Sequence, residues 1–265
     1  MLLALSSHNR LFTSPLVGEA GRGVGHGLGI RYAIRRRAPM NDNEQQVLQL
    51  RPEAALALLI ERVQHMLTTY EGRIAIGLAG GPGVGKSTLA VKLVEALNAT
   101  TPDLAAYVPM DGFHMRHAKL ESLGTVKDKG APHTFEGAAF AEFLAGVKAA
   151  TLQVSGPGYS REIEDVVIDA FIVPAGARVL VVEGNYLLLA NAPWWQVRPL
   201  LDLAVFIDLP RDTVKARLLA RHAEHGLFTA ERNRQHVERV DLANYDLVKR
   251  SRGRADIAID LLTEH

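Results

Sequence analysis

The sequence predicts an α/β fold with a mainly parallel, five-stranded sheet that helices cover on both faces. Short apolar runs, typical of buried parallel strands, alternate with stretches of helical spacing. Glycines cluster directly after the first of these runs. The 265 residues are 48% hydrophobic and 22% charged, so the chain can bury a full core without disulfides. It has no cysteine, which excludes a thiolate metal site and a thiol nucleophile.

Each predicted element follows from its pattern of apolar residues. Helical spacing predicts a first helix over Pro52–Tyr70. Five short apolar runs predict the strands Arg73–Ala79, Ala105–Met110, Arg178–Val182, Leu203–Ile207 and Ala255–Ile259. Further helices are predicted over Ser87–Leu97, Phe135–Ala149, Arg211–His222 and Ala230–Leu242. The segments Leu152–Ser155 and Asp165–Val173 break the alternation and predict an antiparallel ribbon beside the ligand site.

Residues 1–39 differ in composition from the rest of the chain, which we predict to be one domain over residues 40–265. They hold six arginines and one acidic residue, and they are rich in glycine with no apolar period. A disordered tail, a transit peptide and an upstream start codon before Met40 are three interpretations. We favour the tail or the start codon, because the glycines would disrupt an amphipathic helix. The remaining residues include 24 basic and 28 acidic ones, which disfavours a polycationic face for nucleic acid.

The strongest motif is Gly80–Ser87, GGPGVGKS, which matches G-x-x-x-x-G-K-[ST] in full between a predicted strand and a predicted helix. Its glycines let main-chain N–H groups close around phosphate oxygens, and the helix presents its positive end to the anion. Lys86 is expected to bridge the β- and γ-phosphates, and Ser87 to ligate Mg²⁺. The predicted nucleotide-binding residues are Gly80, Gly81, Gly83, Val84, Gly85, Lys86, Ser87 and Thr88. We interpret this segment as a phosphate-binding loop rather than as a chance glycine-rich turn. The predicted fold is therefore that of a three-layer P-loop NTPase.

Two carboxylates follow predicted strands and face the same edge of the sheet. Glu183 ends the apolar run before Gly184 and is predicted to hold Mg²⁺ together with Ser87, and to lie beside the substrate. Asp111 follows the second strand of the nucleotide-binding core and is predicted to orient an acceptor hydroxyl and take its proton. The alternative for Asp111 is a helix cap or a turn residue.

An ordered set of motifs carries a family resemblance. It comprises the phosphate loop, D-G-F at Asp111–Phe113, K-G-A-P-H-T-F-E at Lys129–Glu136, P-G-Y-S-R at Pro157–Arg161 and E-G-N at Glu183–Asn185. The chain resembles the phosphoribulokinase/uridine kinase/bacterial pantothenate kinase superfamily, and more narrowly the bacterial nucleoside/nucleotide kinase-like or fructose-transport-system kinase-like proteins. The resemblance covers roughly residues 50–262. It implies a P-loop kinase fold, dependence on ATP and Mg²⁺, and phosphorylation of a small-molecule hydroxyl.

Departures from the family pattern bear on the acceptor. Ala131 stands where uridine kinases carry a histidine, and Arg161 and Glu164 stand where pantothenate kinases carry a histidine and a tyrosine. An arginine beside a carboxylate suits a hydroxyl-rich or anionic acceptor, so a sugar or sugar-like acceptor is favoured over pantothenate or a nucleoside. His114, Tyr159 and Arg161 are predicted to contact it, together with Asp111 and Glu183. The spacing of His114, His117 and His133 does not match a metal-binding motif.

The resemblance also implies a helical lid that supplies arginines to the transferring phosphoryl group. Arg217 and Arg221, four residues apart on one predicted helix, are the candidates, and a solvated helix face is the alternative. Asn244 and Arg252 precede the last strand, where the superfamily contacts the adenine.

These motifs bear on three classes of function. The first is an ATP-dependent kinase for a small hydroxyl-bearing metabolite. The second is a nucleotide-dependent ATPase or switch acting on a protein partner, although no N/T-K-x-D base-reading motif is present. The third, a degenerate nucleotide-binding protein, conflicts with the intact motifs. We therefore expect a cytoplasmic kinase that binds ATP, Mg²⁺ and a small-molecule substrate, but neither nucleic acid nor membrane; a homodimer is left open.

Deleting residues 1–39 is expected to change kinase activity little, because the predicted catalytic residues and core all lie after Met40. Turnover and circular dichroism of the shortened and full chains would be compared. Loss of folding on deletion would show that the segment is structural.

Overall fold

The computed structural model describes residues 46–160, 162–225 and 229–263, all within the compact unit Asn43–His265. The predicted tail therefore lies outside the described residues. The strands are β1 Gln46–Leu50, β2 Ile74–Ala79, β3 Ala105–Pro109, β4 Val154–Ser160, β5 Asp165–Val173, β6 Val179–Gly184, β7 Leu203–Asp208 and β8 Ile257–Leu261. The α-helices are α1 Pro52–Thr69, α2 Lys86–Thr100, α3 His117–Ser122, α4 Gly137–Ala149, α5 Arg211–His225, α6 Ala230–His236 and α7 Leu242–Lys249.

Six parallel strands form the central sheet in the order β1-β8-β7-β2-β6-β3, which confirms the α/β class. The predicted count of five was wrong, because β1 adds an edge strand against β8. Its sequence, QVLQL, mixes polar and apolar residues; Leu48 and Leu50 are partly buried, whereas Val47 and Gln49 are exposed. Such a half-buried edge strand lacks the continuous apolar run that identifies the fully buried strands.

The sheet separates two apolar cores, because each buried strand places alternate residues on opposite faces. Ile74 and Ile76 of β2 face one core together with α1 and α2 residues such as Leu59 and Leu93. Ala75 of β2 faces the other core, which contains Phe140 and Leu144 of α4 and the buried indole of Trp194. Fully burying one such side chain stabilises the fold by about 1.5–3 kcal/mol.

The antiparallel ribbon is confirmed: β4 pairs with β5 outside the main sheet. It packs against the 3₁₀ turn Met110–Phe113 that follows β3. A Cβ atom on Gly112 would lie 1.8 Å from the carbonyl oxygen of Pro157, so only glycine allows the ribbon to approach this turn. The ribbon is thereby fixed beside Asp111.

The predicted helix Ala230–Leu242 is helical throughout, but it is not a regular α-helix over its whole length. Helix α6 ends at His236, a π-helical segment follows over Val237–Asp241, and α7 begins at Leu242. We use the term lid for α5, α6 and this π-helical segment. Among the described residues, no helix combines the length and apolar character needed to cross a membrane.

A buried arginine ties three segments of the fold together. Arg73 precedes β2 and donates to the carbonyl oxygens of Val147 (2.7 Å), Pro174 (2.8 Å) and Ala177 (2.9 Å). We expect Arg73→Met to lower the free energy of unfolding by about 2–4 kcal/mol, because it leaves these carbonyls without their charged donor. Urea denaturation would measure the loss.

Arg178→Met is the matched control for this variant. Its exposed guanidinium donates to the carbonyl oxygens of Tyr70 and Gly72, where water can replace it. The control should cost less than about 1 kcal/mol. Equal losses in the two variants would contradict the role given to Arg73.

Candidate active site

The phosphate-binding loop connects β2 to α2 and is shaped by close backbone contacts. A Cβ atom on Gly80 would lie 2.3 Å from the carbonyl oxygen of Ile207 in β7, so glycine is required there. On Gly81 a Cβ would meet the Tyr245 ring at 2.6 Å. Val84 is buried beneath the loop. The loop ends at the first turn of α2, where free N–H groups and the helix dipole favour an anion.

Lys86 is a buried cation at the start of α2. Its Nζ donates to the carbonyl oxygen of Gly81 (2.9 Å) and to Oδ1 of Asn185 (2.8 Å), and it lies 3.5 Å from Oε1 of Glu183. Burial lowers the pKa of Lys86, while the charges of Glu183 and Asp111 oppose that shift. The ammonium group is therefore held in place by protein acceptors within a site that disfavours an unpaired charge.

Glu183 is buried near the end of β6, with hydroxyl groups around its carboxylate. Tyr107 of β3 donates to Oε2 of Glu183 at 2.9 Å. Burial raises the pKa of Glu183, whereas the Lys86 charge and hydrogen bonds from Tyr107 and Ser87 lower it. The two predicted metal ligands, Ser87 and Glu183, thus lie near each other in the cavity lining.

Asp111 lies on the 3₁₀ turn after β3, close enough to influence both partners of the buried pair. Its negative charge raises the pKa of Lys86 and that of Glu183. The backbone carbonyl of Asp111 accepts from the His114 N–H, and His114 Nδ1 lies 2.8 Å from the same oxygen. These contacts brace the turn, and Asp111 lines the cavity.

One cavity of about 1470 Å³ joins the phosphate loop, the lid and the wall formed by His114 and Tyr159. We call this wall the acceptor side, because it is predicted to contact the acceptor. The predicted site residues that line it are Gly83, Gly85, Lys86, Ser87, Thr88, Asp111, His114, Tyr159, Glu183, Arg217, Arg221 and Asn244. Gly80, Gly81 and Val84 form the loop without lining the cavity. Arg161 lies outside the described residues.

Both predicted lid arginines face the phosphate loop. A Cβ atom on Gly85 would lie 3.8 Å from a terminal nitrogen of Arg217. The positive charge of Arg221 lowers the pKa of Lys86, so its guanidinium is also near the loop. Helix α5 thus carries two cations towards the place where phosphate charge is expected, rather than towards solvent alone.

The acceptor side of the cavity is aromatic and charged. The His114 ring lies between Phe135 and Tyr159, with centroid separations of 3.9 Å and 4.5 Å. Lys129 Nζ lies 5.3 Å from the Tyr159 ring centroid and donates to the carbonyl oxygen of Glu164. This side offers flat apolar faces together with hydrogen-bonding groups.

The remaining predicted residues occupy separate positions. Asn244 donates to the carbonyl oxygen of Gly130 at 3.1 Å and lines the cavity. Arg252 does not line it; its guanidinium pairs with Asp208 (3.0 Å) and Asp260 (2.7 Å). The geometry thus connects Arg252 to the carboxyl ends of β7 and β8.

The histidines singled out by spacing do not come together. His114 stacks with aromatic rings, whereas His117 pairs with Glu121 at 3.3 Å and His133 with Asp128 at 3.7 Å.

Sequence reasoning missed several residues of the site. Tyr107 donates a hydrogen bond to Glu183, and Asn185 accepts one from Lys86. The cavity is also lined by three further cations, Lys129, Arg232 and Arg239. Asn185 and Lys129 lie inside the motifs E-G-N and K-G-A-P, and that position was an available signal. Tyr107 offered none, because a tyrosine in a buried strand is usually a core residue.

Comparisons with known proteins agree with this geometry. The model of the phosphoribulokinase/uridine kinase family matches residues 75–265. A provisionally named uridine kinase of Schizosaccharomyces pombe is 32% identical over 203 residues, which are 74% of this chain and 86% of that protein. A pantothenate kinase of Limosilactobacillus reuteri is 28% identical over 243 residues, 83% of this chain and 79% of that one.

A solved structure supports the same fold. The crystal structure of a provisionally named fructose transport system kinase from Silicibacter sp. TM1040 superposes with a TM-score of 0.70 at 34% identity. The match covers 77% of this chain and 98% of that protein.

Proposed function

The chain belongs to the phosphoribulokinase/uridine kinase family of P-loop kinases, and we propose that it transfers the γ-phosphoryl group of ATP to a hydroxyl of a small sugar or sugar-like metabolite. One observation carries the proposal. Lys86, Glu183 and Asp111 meet in a single cavity that also receives Arg217 and Arg221. Phosphoryl transfer needs such an arrangement, because catalysis consists mainly of positioning and charge stabilisation.

Each group has a distinct role in this proposal. The N–H groups of the phosphate loop and Lys86 hold the β- and γ-phosphates, and Lys86 exchanges its contact with Asn185 for phosphate oxygens. The lid arginines neutralise charge on the transferring group and exclude water. Asp111 orients the acceptor hydroxyl and accepts its proton.

The donor set beside Lys86 fits Mg²⁺. Ser87 and Glu183 offer a hydroxyl and a carboxylate oxygen, the hard ligands that this ion prefers, and leave further positions for water and phosphate oxygens. When bound, the ion would neutralise charge on the β- and γ-phosphates. Tyr107 donates to Oε2 of Glu183 and would help to hold this carboxylate in place for the ion.

The walls of the acceptor side support a sugar-like acceptor. His114 and Tyr159 present ring faces, while Lys129 and Glu164 provide polar groups at the same wall. A polyhydroxylated molecule can use both, with its carbon face on the rings and its hydroxyls on the polar groups. Because the relatives include pantothenate kinases, pantothenate is the second candidate acceptor.

The principal experiment is an ATP-consumption screen of the purified chain with sugars, sugar phosphates, pantothenate and nucleosides, and without any acceptor. We expect turnover only when a small hydroxyl-bearing molecule is present. ATP hydrolysis that depends on a protein partner instead would replace the kinase proposal with that of a switch.

Asp111→Asn is expected to lower acceptor-dependent turnover by about 100-fold or more, because the amide cannot accept the proton. ATP affinity, measured by calorimetry, should change less than about threefold. Asp246→Asn is the matched control, since Asp246 is an exposed partner of Arg211 and should leave turnover unchanged. Full turnover in the Asp111 variant would show that another residue accepts the proton.

Tyr107→Phe is expected to raise the Mg²⁺ concentration for half-maximal turnover several-fold, because Glu183 loses a donor that fixes its carboxylate. That hydrogen bond also lowers the pKa of Glu183, so its removal raises this pKa and moves the acidic limb of the pH–rate profile to higher pH. Tyr70→Phe, at the exposed end of α1, is the control. If neither the Mg²⁺ requirement nor the acidic limb changed, Tyr107 would have no role in supporting Glu183.

A further inference from the structure

Three potential metal ligands meet in the lid, apart from the Ser87–Glu183 pair. His222 lies on α5, His236 ends α6 and Asp241 ends the π-helical segment. One ligand atom from each lies within 4.8 Å of the others, and no other trio of this kind was found within the described ranges. The two imidazole rings have centroids 5.4 Å apart.

The π-helical segment explains how His236 and Asp241 come together. They are five residues apart, which in a regular α-helix would place them about 140° apart around the axis. The wider π turn pairs residue i with residue i+5 and brings both onto one side. Single π turns of this kind occur frequently at functional sites.

The third ligand is positioned by contacts between helices. The carbonyl oxygen of His222 accepts a hydrogen bond from the Asn233 side chain at 3.2 Å, which joins α5 to α6. Nε2 of His222 lies 3.0 Å from Oδ2 of Asp241. Two atoms that share a tetrahedral zinc ion at ~2.0–2.1 Å lie about 3.3 Å apart, so this pair already has nearly the required separation.

The donor set selects a class of ion. Two imidazole nitrogens and a carboxylate oxygen suit zinc and neighbouring divalent transition metals, whereas Mg²⁺ prefers oxygen ligands alone. All three residues line the main cavity.

We propose that His222, His236 and Asp241 bind one divalent transition-metal cation that fastens α5 to the end of α6. The site is separate from the Mg²⁺ ligands proposed above, and its occupancy does not depend on the identity of the acceptor. The cation would fix the relative position of the lid helices and hence of Arg221, which lies one residue before His222.

Titration of the metal-stripped full chain with ZnCl₂ tests this site. Calorimetry is performed in excess MgCl₂ and without nucleotide, so that the oxygen site does not contribute. We expect one equivalent to bind with a micromolar or lower Kd. His222→Gln, His236→Gln and Asp241→Asn should each weaken it by about 10-fold or more.

Two histidines outside the cluster provide matched controls. His117→Gln and His133→Gln each remove an exposed imidazole that also has a carboxylate neighbour, and they should leave the affinity unchanged. Binding no tighter than about 100 μM, or binding retained in all three cluster variants, would overturn the proposal.

A measurement on the unaltered chain covers the case in which the cluster variants fail to fold. Co²⁺ bound at this site should give paramagnetically shifted ring N–H resonances from two histidines. It should also raise the thermal midpoint of the chain. Shifted signals from fewer than two histidines would reject the site.

Discussion

Nζ of Lys86 and Oε1 of Glu183 lie 3.5 Å apart, and both side chains are almost completely buried from water. Removing two charges from water is costly, and the cost is offset only if the remaining donors and acceptors are satisfied. Lys86 donates hydrogen bonds to Asn185 and to the carbonyl oxygen of Gly81, while Glu183 accepts one from the hydroxyl of Tyr107. The same contacts keep both side chains in place, so the phosphate and metal roles proposed for them depend on this pair.

The order of the strands places this pair beside Asp111, the proposed base. Strand β6 lies between β2 and β3, and the parallel register sets Ala79 opposite Gly184 and Pro109 opposite Glu183. The phosphate loop, Glu183 and Asp111 therefore leave the sheet at one edge. Because the strand interiors are apolar and rigid, the distances among these groups are fixed by the fold rather than by flexible loops.

Local patterns predicted those parts of the molecule that depend on local chemistry. The phosphate loop, Asp111 and Glu183 follow apolar strands in the sequence, and their meeting at one sheet edge follows from parallel topology. β1 was missed because an edge strand buries only one face. The π-helical segment and the partnership of Tyr107 with Glu183 depend on tertiary contacts, and no spacing of residue types encodes them.

Hydrogen bonds connect the loop beside the acceptor side to the lid, so the positions of the two are not independent. The carbonyl oxygen of Gly130 accepts hydrogen bonds from Asn244 on α7 and from the Tyr186 hydroxyl next to β6. Arg239, in the π-helical segment, donates to the carbonyl oxygen of Lys127 at 2.9 Å. The loop that carries Lys129 is thus held by the sheet on one side and by the lid on the other. A displacement of the π-helical segment would therefore have to shift or break the contact between Arg239 and Lys127.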